Sequence, residues 1–574
     1  GSLKTNLDSS PIFWRCICSK LEIDRSSTLA DPNRMMEPLT SFLDKSLHGR
    51  ERSLSPLADD SSEAMFWKRV YLNFLNTNRN ICEGTCQFWR FLIDKHLPCS
   101  VFEVKGEMQG RRLAEFYKPS TTSGGPVDIY AKDFTRQFTL DWNGKYAVMA
   151  ETHFIDYATS NILVWNTSLV KPTLMCQKFN TGVCLNTLTF SIWRNYLIHA
   201  PSVQDRANCQ KILMVLDMEK DLTETGYVNL PNGLCRQDIS DDQDYQERYD
   251  DFLGMIEVNG RGKAVALARV PGFTLFLIDI PSCRIEQELS LPSDFHDCFK
   301  LMYHVQHRPH YRNAMALLFL HQNQDVVIKP KHYYALLVIC LNKDSNSSGV
   351  RLIKGLGEAC YDIDVTDEGH VVALVNSSDS PREELWLYQN GKQGVDPTPS
   401  MMVREDTSHP VRLHAFDYKF LHGDMYRWIG MLHKVRLSHT KDLAVILSND
   451  IQKDRCTVYG IKLEGLGTKA PASSVLYSIS LDSFNFKSST YRLALGVSNH
   501  YMAIGELDHV VIWKVQNGKY MQSIAIPQHY EHQNRIRKGL RFVLMNDTDF
   551  LTFNCWGPCD DWFYPDVFDI IKFW

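Results

Sequence analysis

A unit of three short apolar runs separated by polar turns recurs along most of this chain. The clearest copy reads Phe138-Thr139-Leu140-Asp141-Trp142, a turn at Asn143-Gly144, Tyr146-Ala147-Val148-Met149-Ala150, then Asn161-Ile162-Leu163-Val164-Trp165-Asn166. Its counterpart reads Leu493-Ala494-Leu495-Gly496-Val497, a turn at Ser498-Asn499, Tyr501-Met502-Ala503-Ile504-Gly505, then Val510-Val511-Ile512-Trp513-Lys514-Val515. Both give a hydrophobic strand, a polar turn, a strand ending in small residues, and an apolar-apolar-Trp-polar run. Runs this short, bounded by Gly, Asn and Ser, are strands rather than helices.

Weaker copies cover residues 188–217, 252–279, 314–341, 361–388, 435–461 and 542–571, which makes eight units. Such a unit cannot bury both of its faces alone. Repetition around a closed ring packs each unit between two neighbours and leaves only short edges, which is the logic of a β-propeller. The expected fold is therefore mainly β, a propeller of eight blades with seven as the alternative. The units span about 59 residues each, against roughly 40–45 for a WD repeat. The excess falls in connections such as 200–210, 321–332 and 391–410. An early strand near Arg112–Tyr117 is expected to complete the last blade.

Residues 11–96 read as helical. Phe13, Trp14, Ile17 and Leu21 fall at helical spacing, as do Met35, Leu39, Phe42, Leu43 and Leu47. A third stripe carries Phe66, Trp67, Val70, Tyr71, Phe74 and Leu75, with Asp60 and Glu63 placed to cap it. Trp14, Trp67 and Tyr71 are read as the packing residues of this region. The organisation expected is residues 1–24, a helical linker over 25–100, and the propeller over 101–574.

Composition narrows the function classes. With 62 Lys and Arg against 67 Asp and Glu, the net charge of −5 supplies no global field for nucleic acid or an anionic membrane. No apolar run is long enough to span a bilayer. The sixteen cysteines form no CxxC pair, and many sit inside apolar runs, as Cys340 does. They read as small hydrophobes in a reducing compartment, cytoplasmic, nuclear or both. The sequons at Asn166, Asn346, Asn376 and Asn546 then read as chance matches. Gly1-Ser2 reads as a cloning remnant, with the native chain expected to begin earlier.

No catalytic constellation stands out, and the chain is read as non-catalytic, with no cofactor and no metal. His304, His307 and His310 are spaced three apart, but Pro309 breaks any helix that would align them. Asn259-Gly260-Arg261-Gly262-Lys263 lacks the spacing of a phosphate loop and reads as a β-turn. Two charged connections are the candidate protein-binding elements. Residues 237–251 are acidic and include Asp241 and Asp242. Residues 529–541 are basic and carry Arg535, Arg537, Lys538 and Arg541, suited to an acidic or phosphorylated peptide. Both link an outer strand to the next inner strand, so both are expected on one propeller face. A third candidate is the aromatic connection 555–566, with Trp556 and Trp562 as anchors.

The helical end resembles a known family. Phe13-Trp14-Arg15-Cys16-Ile17-Cys18-Ser19-Lys20-Leu21-Glu22-Ile23-Asp24 is similar to the end of an F-box. Phe66-Trp67-Lys68-Arg69-Val70-Tyr71, followed by Asn80-Ile81-Cys82-Glu83-Gly84, is similar to the linker of F-box/WD-repeat proteins, with Ile81 in place of a second Trp. The resemblance assigns 1–24 to the remnant of an F-box whose Leu-Pro-initiated core is absent. The WD dipeptide is largely missing as well: Trp165-Asn166 and Trp513-Lys514 stand where Trp-Asp would. The resemblance implies a substrate-recognition subunit of an SCF-type cullin-RING ubiquitin ligase in the ubiquitin-conjugation pathway. The F-box would bind the Skp adaptor and through it the cullin, and the propeller face would bind a target protein. A propeller scaffold of another assembly and a propeller hydrolase are the alternatives.

Overall fold

The computed structural model describes residues 10–21, 23, 29, 63–84, 86–93, 101–109, 112–113, 136–153, 160–168, 172–178, 190–199, 211–229, 255–258, 262–269, 273–291, 299–304, 314–321, 334–340, 349–354, 359–366, 368–376, 382–390, 403–406, 410–419, 434–438, 442–450, 455–468, 470–484, 493–506, 509–525, 542–546, 548–554 and 566–573. Their strands form eight sheets, each built on four antiparallel strands. The eight sheets coincide one for one with the eight sequence units, and the fold is an eight-bladed β-propeller.

From inner to outer strand, blade 1 is Arg136–Trp142, Tyr146–His153, Ser160–Asn166 and Thr173–Lys178. Blade 2 is Phe190–Trp193, Tyr196–His199, Lys211–Asp217 and Thr223–Asn229, and blade 3 is Met255–Val258, Lys263–Arg269, Phe273–Asp279 and Arg284–Ser290. Blade 4 is Phe299–His304, Ala314–His321, Tyr334–Cys340 and Gly349–Lys354, with a fifth strand, Val403–Asp406, outside it. Blade 5 is Ala359–Val365, Val371–Asn376, Arg382–Tyr388 and Val411–Lys419, and blade 6 is Lys434–Leu437, Leu443–Asp450, Arg455–Glu464 and Ala472–Ser480. Blade 7 is Ala494–Val497, Tyr501–Glu506, His509–Lys514 and Tyr520–Ala525.

Blade 8 joins the two ends of the chain. Its first three strands, Phe542–Met545, Asp549–Asn554 and Asp566–Lys572, are C-terminal, while its fourth is Cys86–Ile93. The pairing is antiparallel and unbroken from Gln87↔Lys572 to Ile93↔Asp566. Val101–Gln109 and Arg112–Leu113 then add two strands outside it. This corrects two expectations. The strand completing the last blade is Cys86–Ile93, and Arg112–Leu113 joins the same sheet two places further out. The helical reading of 11–96 also stops at Glu83, so strand structure begins at Cys86 rather than beyond residue 100. The run Cys86-Gln87-Phe88-Trp89-Arg90-Phe91-Leu92-Ile93 is equally apolar at either period, and long-range pairing decides it.

The second and third strands lie between neighbouring blades, so they need apolar side chains on both faces. That explains the continuous run Ala335-Leu336-Leu337-Val338-Ile339, in which every residue is fully buried. Among the described residues, apolar clusters bridge adjacent blades; one joins Val372, Leu374 and Leu385 of blade 5 to Val435, Ala444 and Ile446 of blade 6. The inner-to-second turns are set by short polar side chains. Asn143 accepts from the backbone N–H of Lys145 at 3.0 Å and of Tyr146 at 2.7 Å, with Gly144 at φ 86°. Ser498 and Asn546 do the same work in blades 7 and 8. Asn546 is fully buried in that role.

Among the described residues, two α-helices precede the ring. α1, Pro11–Lys20, is capped by Ser10, whose hydroxyl accepts from Phe13 N–H at 3.3 Å. α2, Glu63–Glu83, ends at Gly84 with φ 66°, the left-handed closure that glycine allows. The stripe at Met35–Leu47 and the capping residue Asp60 lie outside the described residues.

Candidate interaction surfaces

The helical pair is seated on one face of the propeller. Trp67, Val70, Cys18, Ile23 and Leu29 form its buried centre, with Trp14 and Tyr71 packed against it. The Trp14 and Tyr71 rings lie 5.8 Å apart, so the three residues picked from sequence come together. Along α2 the buried face continues through Asn73 and Thr77, polar positions that a hydrophobic stripe does not reveal. Asn73 Nδ2 donates to the Leu29 carbonyl at 3.0 Å, so its burial holds the chain entering the linker.

The seat itself is polar and specific. His500 Nε2 is 2.6 Å from the Leu21 carbonyl, so that nitrogen carries the proton, and the imidazole packs 4.9 Å from the Phe74 ring. Asn80 Nδ2 donates to the Phe573 carbonyl at 2.7 Å, and Tyr501 OH to Asn78 Oδ1 at 3.4 Å. Ile81 is buried in the core shared by blades 7 and 8. His500 lies in an inner-to-second turn, and Phe573 follows a third strand. Strand direction alternates within each blade, so all such turns open on the same face as the helices. The second-to-third and outer-to-inner connections open on the opposite face.

Both charged connections, 237–251 and 529–541, are outer-to-inner connections, flanked by Asn229 and Met255 and by Ala525 and Phe542. Their flanking strand ends therefore belong to the face away from the helices. Asp241, Asp242, Arg535, Arg537, Lys538 and Arg541, with Trp556 and Trp562, lie outside the described residues. So do His307 and His310.

The inner strands carry buried carboxylates that sequence reading passed over. Asp141 accepts from Trp142 N–H at 2.7 Å and, across the blade junction, from Ile192 N–H at 2.9 Å. Asp362 accepts from Val435 N–H at 2.9 Å and from the Arg436 guanidinium at 2.5 Å. Asp364 accepts from Leu437 N–H at 2.6 Å and Val365 N–H at 2.8 Å. An inner strand is the open edge of its sheet, and a carboxylate from the preceding blade satisfies donors that its own sheet leaves unpaired. The alternation Asp362-Ile363-Asp364 in an otherwise apolar strand is the signal that could have found them. Lys434, at the start of the blade 6 inner strand, is a contrasting case. Burial, with Arg436 adding like-charge repulsion, pushes its ammonium down to about 8.

Burial pushes the Cys18 and Cys340 thiols up to about 11 and those of Cys86 and Cys456 to about 12, so they stay protonated and pack as apolar groups. Among the described residues no two cysteines are joined by a disulfide. Among the described residues no group of three His, Cys, Asp or Glu side chains is placed to hold a metal. No described helix is long and apolar enough to cross a membrane.

No family model matches the chain, and no curated protein matches it. Solved structures similar to it include propeller and WD40 domains. The Dos1 propeller is 9% identical, covers 77% of this chain and 93% of its own, and superposes with a TM-score of 0.38. The WD40 domain of SCAP from fission yeast is 8% identical, covers 78% and 97%, and gives 0.36. The β-propeller domain of Cps50 (Swd1) from Myceliophteria thermophila is 9% identical, covers 67% and 95%, and gives 0.33.

Proposed function

We propose that this chain is a non-catalytic, protein-binding propeller that serves as the substrate-recognition subunit of an SCF-type cullin-RING ubiquitin ligase. The observation that carries the reading is the fixed joint between helices and propeller. The residues through which the sequence resembles an F-box end and its linker, Trp14, Leu21, Trp67, Tyr71, Asn80 and Gly84, are those that build this joint. A rigid joint holds an N-terminal docking module at a set angle to the ring and leaves the opposite face for a target protein. In this reading the F-box binds the Skp adaptor and cullin, and the recruited conjugating enzyme supplies the chemistry.

The test is affinity purification of the full-length protein from cells with the proteasome blocked. The Skp adaptor and cullin are expected in the eluate, and removal of the segment preceding α1 is expected to abolish both. A full-length chain with a native melting transition that brings down neither overturns the ligase reading, leaving a propeller scaffold for another assembly.

A further inference from the structure

Two features of the outer rim divide the blades without overlap. In blades 1, 2, 3, 5, 6 and 7 the outer strand carries one residue more than the third strand at an equivalent point. The extra residues are Met175, Thr225, Glu286, Leu413, Leu476 and Met521. Blades 4 and 8 pair without such a break. Among the described residues, these same two blades are the ones that carry further strands outside the fourth.

The physical reason is edge protection. A bulge bends and twists an edge strand and breaks its row of donors and acceptors, so another strand cannot align on it. A straight edge is a template and has to be covered. The two covers differ in strength. On blade 8, Val101–Gln109 lies antiparallel to Cys86–Ile93 through eight consecutive pairs. On blade 4, Val403–Asp406 lies parallel to Gly349–Lys354 through four pairs, Val350↔Val403 to Ile353↔Asp406. Parallel pairing is the weaker kind per residue, and four residues is near the minimum for a strand. The cover also comes from elsewhere, within the connection between the third and outer strands of blade 5.

The edge beneath it is held independently. Val350, Leu352 and Ile353 are buried in blade 4. The Arg351 guanidinium donates to the Gln389 carbonyl at 2.8 Å and the Gly369 carbonyl at 2.7 Å, tying the strand to two turns of blade 5. Neither guanidinium bond is made to Val403–Asp406, so both remain when the cover is off.

We propose that the outer edge of blade 4 is a strand-addition site for an extended segment of a partner protein, and that Val403–Asp406 is its built-in, displaceable occupant. The partner segment runs parallel to Gly349–Lys354 with an apolar residue at the place paired with Val350. Its affinity is set by main-chain hydrogen bonds.

The test uses the whole chain with Val403→Pro and Arg404→Pro together. Successive residues of a strand face opposite edges, so one of the two prolines removes a donor aimed at Gly349–Lys354. A fluorescent peptide of residues 401–410 is titrated into each protein and followed by anisotropy. The double variant is expected to bind at least tenfold more tightly than the unaltered chain, and a peptide bearing the same two prolines is expected to bind neither. A variant that keeps the native melting temperature but binds no better than the unaltered chain overturns the proposal. A variant that loses its cooperative melt also overturns it, because the segment is then an integral strand of the blade.

Discussion

The Lys572 ammonium donates to the Thr167 carbonyl across 2.6 Å, binding the third strand of blade 8 to the third-to-outer turn of blade 1. Both residues are within 1% of complete burial, so water does not replace the bond when it is lost. Lys572→Met keeps the stem and leaves a buried carbonyl with one donor fewer. The expected cost is about 1–3 kcal/mol, read as a lower melting temperature with the native circular dichroism spectrum retained. An unchanged melt would show that this bond adds nothing to the closure of the ring.

Asp364 is fully buried and spends both of its oxygens on backbone donors, one of them in the next blade. Asp364→Ala strips two charge-assisted bonds at once. Destabilisation of about 2–4 kcal/mol in chemical denaturation is the expected result, with Asp364→Asn intermediate because one amide oxygen still accepts. Equal losses for the two variants would show that the effect is side-chain volume rather than hydrogen bonding.

His500 joins blade 7 to the helices through Leu21 and Phe74. His500→Ala is expected to loosen the joint by about 1 kcal/mol without touching the blades. The measurement is hydrogen exchange: amides of α2 should lose protection while those of Tyr501–Glu506 keep theirs. Parallel loss in both would place His500 in the core of the blade instead.

Periodicity made the ring legible and left its closure obscure. Two strands with apolar faces on both sides, such as Val371–Asn376 and Tyr334–Cys340, announce themselves in any blade. The outer strands do not: Thr223–Asn229 and Ala472–Ser480 are half-exposed, and their alternation is interrupted at Thr225 and Leu476 by the bulges. Phe299–His304 was missed for a related reason, since it is short and mixed in polarity and its identity depends on pairing with Ala314–His321. Trp14 on one helical stripe, and Trp67 and Tyr71 on another, were legible from their spacing. His500, Asn80 and Asp364 were not, because a buried polar residue looks like a surface residue until its distant partner is known.

Tyr477 packs its ring over two backbone positions that lack a Cβ. An added methyl at Gly460 would come within 2.1 Å of the ring, and one at Gly518 within 2.7 Å. The phenol then donates to the Val515 carbonyl at 2.7 Å, fastening the rim of blade 6 to blade 7. Gly460→Ala must displace the ring and is expected to cost about 1–3 kcal/mol. Adding Tyr477→Ala to that variant should cost less than it does alone, a non-additivity that a double-mutant cycle reads directly. Strict additivity would show that the Tyr477 ring and the Gly460 position do not interact.

Lys434 gives the chain a pH dependence whose sign is fixed. Its ammonium ordinarily releases its proton near 10.5 and does so at about 8 in the folded chain. Between those values the unfolded chain binds more protons, so this residue makes stability rise with pH across that window. Below about 8 the folded state carries a half-buried charge beside Arg436, which the Asp362 carboxylate offsets only in part. Lys434→Met is therefore expected to stabilise the protein at pH 7, by roughly 1–2 kcal/mol once its partial exposure is allowed for. The gain should shrink as the pH is raised toward 10.5. Paired denaturation curves of variant and parent at pH 7, 8.5 and 10 make the measurement. A gain that stays constant across the three would mean that side-chain volume, not charge, is what the substitution relieves.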